Sequence, residues 1–112
     1  MAYPRLTDDG RCVVLDLHGV RLAEARPLVL RVVAEAARRG RAQVRLIHGS
    51  STTDSEDARP TIKRMLHEML KTGAFAPHIT QALPLQNELL LALDLTATPD
   101  PRPIRLSECW PR

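Results

Sequence analysis

Cys12-Val13-Val14-Leu15-Asp16-Leu17-His18-Gly19 decides the fold, because Ala42-Gln43-Val44-Arg45-Leu46-Ile47-His48-Gly49 repeats its form further along the chain. The first segment is a nearly continuous apolar run rich in β-branched residues, the pattern of a buried strand. The second alternates apolar and polar residues, as a strand with one face on a core does. Each closes on His-Gly, where glycine lets an extended chain turn.

Between them, Leu22, Ala25, Val29, Val32, Val33 and Ala36 recur at helical spacing, and Gly40 closes the segment. Pro27 lacks the N–H that an interior helical position needs, so a late or kinked start is expected. Residues 50–57 are polar and acidic, and Asp57 suits the cap of a second helix with Pro60 in its first turn. Ile62, Met65, Leu66, Met69 and Leu70 form that helix's apolar stripe, and Gly73 ends it. Residues 79–83 and 89–95 read as extended segments joined by a short link, hence a hairpin. Pro99, Pro101, Pro103 and Pro111 mark the remainder as an extended arm. The expected organisation is an N-terminal extension at 1–11, a domain at 12–95 and a Pro-rich tail at 96–112.

The element order is βαβαββ. A strand–helix–strand unit with adjoining strands makes a right-handed crossover and leaves the strands parallel. The fold class that follows is α/β, a two-layer α+β sandwich: a four-stranded mixed sheet with two helices on one face. Parallel neighbours place His18-Gly19 and His48-Gly49 on one sheet edge, about 4.8 Å apart strand to strand, at the crevice where open α/β sheets bind ligands. Asp16 stands two residues before His18, on the same face by alternation, where a carboxylate would orient an imidazole and raise its basicity. Ser50, Ser51, Thr52 and Thr53 bring hydroxyls and amides that suit a phosphate, while Asp54, Glu56 and Asp57 oppose one or cap the helix.

Composition narrows the function classes. The chain has 112 residues, enough for one core, with 44% hydrophobic and 26% charged residues, as in a globular domain. Aromatics make up 3%, which withholds the stacking platforms of single-strand binders. The net charge of +3 permits a polyanionic partner. No apolar run approaches a membrane span and residues 1–11 are polar, so a cytoplasmic protein without membrane association is expected. Cys12 and Cys109 form no CxxC, which leaves both as reduced thiols and suggests no structural metal site.

Leu15-Asp16-Leu17-His18-Gly19, the helix carrying Ala25, Leu46-Ile47-His48-Gly49 and the second helix together resemble the Smr (small MutS-related) domain family, over about residues 13–95. The resemblance implies a fold similar to the C-terminal domain of bacterial translation initiation factor three, and nucleic-acid binding with DNA-nicking or RNA endonuclease activity. The family's LDLHG segment is matched in full by residues 15–19; its HGxG segment is matched in part, Ser51 standing where glycine is usual. Leu85-Gln86-Asn87-Glu88 replaces a Gly-rich turn between the last two strands.

By this resemblance Asp16, His18 and His48 form the catalytic set, and Gly19, Gly49, Ser50 and Ser51 line the substrate. On RNA, one histidine would deprotonate the ribose 2′-hydroxyl and the other protonate the leaving oxygen, with no cofactor. On DNA, water must be activated, and Asp16 with the histidines would hold a divalent ion. Arg21, Lys63 and Arg64 are placed to track phosphates. Arg31, Arg38, Arg39 and Arg41 read as solvated helix faces, Met65 and Met69 as core, and His67 and His78 as residues without a role. Two other readings stay open: the same fold binding nucleic acid without cleaving it, and a protein-interaction module in which residues 89–93 form an exposed last strand that pairs with a second copy.

Overall fold

The computed structural model describes residues 4–49 and 61–109. Its strands are β1 (Arg5–Asp8), β2 (Cys12–Asp16), β3 (Gln43–Ile47), β4 (Ile79–Pro84) and β5 (Glu88–Leu93), and its helices are α1 (Leu22–Arg38), α2 (Ile62–Lys71) and α3 (Leu106–Cys109). The sheet order is β1-β2-β3-β5-β4, with β2 and β3 parallel and every other pair antiparallel. The mixed α/β class holds. The sheet has five strands rather than four, because Arg5–Asp8 adds to the outer edge of β2. Placing β5 between β3 and β4 also corrects the exposed-last-strand reading: the edges are β1 and β4, and residues 89–93 lie inside the sheet.

Alternation puts Val13 and Leu15 of β2, Val44 and Leu46 of β3, and Leu89, Leu91 and Leu93 of β5 on one face, all buried. The helices cover that face. Ala25, Leu28, Val29, Val32, Val33 and Ala36 of α1, and Leu66 and Met69 of α2, complete a single core. The opposite face stays half open; Val14, Ile47 and Leu90 are only partly covered, and an Arg45–Glu88 ion pair crosses it.

Helix α1 begins at Leu22, not late, and holds Pro27 in its interior. The carbonyl that proline leaves without a donor belongs to Ala23, an exposed position where water can replace the missing bond. Helix α2 is capped by Thr61, whose side chain accepts from the Arg64 amide; Asp57 and Pro60 lie outside the described residues. Both helices end in the same device. Gly40 (φ 73°) and Gly73 (φ 83°) take the left-handed conformation, while Arg41 N–H donates to Ala36 and Ala74 N–H to Met69, closing two Schellman turns.

The Pro-rich segment is not a free arm. Ile104 and Cys109 are buried in the core, and a built Cβ on Gly40 would stand 2.8 Å from the backbone of Ala97 and Pro99. Prolines remove donors, so this segment is held mainly through its carbonyls. Arg39 donates to the carbonyls of Arg102 and Pro103, and Arg41 to those of Asp100 and Arg102. Arg39 and Arg41, read from sequence as solvated, are thus buried, Arg41 completely. Arg41 places all five donor hydrogens, with Asp8 and the Arg39 carbonyl taking the rest. Burial alone would raise the Asp8 carboxyl, but hydrogen bonds from Arg41, Ile104 and Gly10 outweigh it and hold the group below its usual range.

Candidate nucleic-acid interface

The parallel register pairs Asp16 with Ile47, and the Leu17 amide donates to the Ile47 carbonyl at 2.8 Å, so both His-Gly ends emerge side by side. Val20 N–H closes on the Leu17 carbonyl at 3.0 Å, forming a tight turn with Gly19 at φ 84° and His18 exposed at its corner. Only glycine takes that φ without strain. Arg21, exposed, follows as the residue before α1.

The two histidines share an edge but not an environment. His18 lies exposed along Gly49, where a Cβ would come within 3.2 Å of its Cδ2. His48 continues the Val44–Leu46 alternation into the helix layer and is 6% exposed. Its Nδ1 contacts the Gly49 carbonyl at 2.8 Å. Since a carbonyl can only accept, Nδ1 carries the hydrogen, and in the neutral ring Nε2 is left as a base. The Asp16 carboxylate accepts from the His18 backbone N–H at 3.0 Å, so it fixes the turn rather than bonding the ring that the spacing aimed it at.

Two further elements complete the edge. The hairpin turn between β4 and β5 folds over the end of β3, and the Asn87 carbonyl receives the amides of both His48 and Gly49 at 3.0 Å. Helix α2 then presents Lys63 and Arg64 in its first turn, on the wall of a cleft of about 510 Å³ that also takes in His67, Glu68, Leu70, Lys71 and Pro84. Ser50 and Ser51 lie outside the described residues. Among the described residues no cluster of three or more His, Cys, Asp or Glu stands ready for a metal ion, and no helix is long and apolar enough to cross a membrane.

His67, given no role in the sequence reading, lies beside His48. Its ring stands 6.4 Å from that of His48, edge to face. Burial, then His48 and Lys63, push its pKa down. The signal was present in the spacing: Lys63, His67 and Lys71 stand four apart and share one helix face.

No curated protein and no solved structure matches the chain. The sequence model of the Smr domain family matches residues 15–86, from the LDLHG that begins at the end of β2 into the hairpin turn between β4 and β5. The match takes in both His-Gly ends, α1 and α2, and on that ground the chain belongs to the Smr domain family.

Proposed function

We propose that this protein binds nucleic acid at the carboxyl-terminal edge of β2 and β3 and cleaves a phosphodiester there. The observation that carries the reading is the parallel register, which sets His18-Gly19 beside His48-Gly49 with the cations of α2 on the adjoining cleft. In this reading Arg21, Lys63 and Arg64 hold phosphates, Gly19 and Gly49 form the floor, and Asp16 sets the turn that aims His18. On RNA, one imidazole takes the 2′-hydroxyl proton as O2′ attacks phosphorus. The other gives a proton to O5′ as the P–O5′ bond breaks, leaving a cyclic phosphate. On DNA, which lacks that hydroxyl, the attacking water would have to be activated at the same edge, where the described residues gather no cluster of three or more His, Cys, Asp or Glu for a divalent ion.

Binding without cleavage is the second reading. It is favoured by the burial of His48 Nε2 and by the engagement of Asp16 with a backbone amide. Incubating the protein with labelled single-stranded RNA, duplex RNA and supercoiled DNA, with and without a chelator, separates the two. Cleavage lost in His18→Ala and His48→Ala supports catalysis. Binding by all variants with no cleavage by any supports the second reading. Equal cleavage by wild type and both variants removes the histidines from the chemistry.

A further inference from the structure

Buried polar atoms in folded proteins nearly always find partners, and those that do not call for a physical explanation. Among the described residues, the buried side-chain nitrogens without a partner are His48 Nε2 and His67 Nε2. They belong to two rings 6.4 Å apart, one just past the end of β3 and the other on α2. His67 also lines the cleft, between Lys63 and Arg64 one turn before it and Lys71 one turn after.

We propose that His67 is a working residue of the nucleic-acid site: from the cleft between α2 and the end of β4, its protonated ring donates to a phosphate oxygen of the bound strand, with His48 behind it. This rests on the nucleic-acid reading above and extends it, adding a subsite and a histidine that the family resemblance did not bring. Charge decides the ligand class. Lys63, Arg64 and Lys71 outnumber Glu68 on the cleft wall, Pro84 of β4 contributes no charge, and His48, just past β3, adds a second imidazole. A cation would meet repulsion there, while a phosphate gains charge-assisted hydrogen bonds. In the free protein burial, His48 and Lys63 all disfavour the imidazolium, so an arriving phosphate supplies the missing counter-charge and binding takes up a proton.

The test follows the histidine rings by NMR from pH 5 to 8, free and with a short single-stranded RNA or inorganic phosphate, in wild type and His67→Gln. The expected result is a His67 pKa raised by about one unit on binding, equivalent to about tenfold tighter binding to the protonated form. RNA affinity should then rise as pH falls below 7 in wild type more than in His67→Gln. RNA that binds while only His18 responds overturns the proposal and leaves the nucleic-acid reading standing. A His67 response to phosphate in a protein that ignores RNA retains the phosphate subsite and overturns the nucleic-acid reading. A His67 ring unmoved by either ligand overturns the subsite.

Discussion

Substituting Arg41 by Met should be among the most damaging single changes in this chain, and the reason is electrostatic rather than volumetric. The guanidinium is fully buried, grips Asp8 through Nε at 2.8 Å and Nη2 at 2.9 Å, and donates to the carbonyls of Arg39, Asp100 and Arg102. Removing it leaves the Asp8 carboxylate, whose side chain is 0% exposed, without its counter-charge. Breaking one half of a buried pair costs about 3–5 kcal/mol. At roughly 4 °C per kcal/mol for a domain of this size, Tm should fall by roughly 12–20 °C. Adding Asp8→Leu removes the stranded charge, so the double variant should recover at least about 1 kcal/mol over Arg41→Met. It stays below wild type because three carbonyls still lack their donor. Chemical denaturation at pH 7 measures all three proteins. The reasoning is refuted if Arg41→Met costs under about 1 kcal/mol, or if the double variant is less stable than the single.

Gly40→Ala should cost more than about 2 kcal/mol in the same assay, because its Cβ meets backbone at 2.8 Å that no side-chain rotation can relieve and φ is 73°. Gly49→Ala should cost about 1–2 kcal/mol and weaken RNA binding, since it displaces the His18 ring at 3.2 Å; unchanged binding would detach His18 from the interface. Neutralising Lys63 and Arg64 together should lower the slope of log affinity against log salt by about 1–2, and an unaltered slope would place the phosphates elsewhere. Glu35 is held below its ordinary value by Arg38 and Arg39, and Glu88 by Arg45. Their folded values lie under the unfolded one, so they stabilise the protein fully above the ordinary glutamate range. That stabilisation is lost as pH falls through the folded values; denaturation midpoints at pH 7 and pH 3 check it, Glu35→Gln and Glu88→Gln narrowing the difference.

What could be read along the chain was whatever depends on neighbours in sequence. The strand patterns ending at Gly19 and Gly49, the crossover between them, the stripes of α1 and α2 and the glycine stops at 40 and 73 all express local periodicity or backbone freedom, and the structure has each of them. What escaped depends on partners far away. Arg5–Asp8 carries little apolar pattern and becomes a strand because β2 offers it an edge. Arg41 looks like any surface cation until Asp8 and residues 100–102 close around it. The role of Asp16 shifted for a short-range reason: a carboxylate two residues ahead of a turn reaches the turn's amide more readily than the ring beyond it. The packing of His67 against His48 was not legible either, because it exists only once the end of β3 lies beside α2.

The single oxygen of Asn87 that receives two amides from the His48-Gly49 corner sets the character of the proposed interface. Glycine-rich phosphate loops grip anions with main-chain dipoles, which keep the same strength at any acidity. Here those two dipoles are already committed to the hairpin, and in the proposed site discrimination would pass to guanidinium, ammonium and imidazole groups. A binding surface built that way would be tunable: ionic strength would attenuate it and protons reinforce it, so the medium would become part of its selectivity.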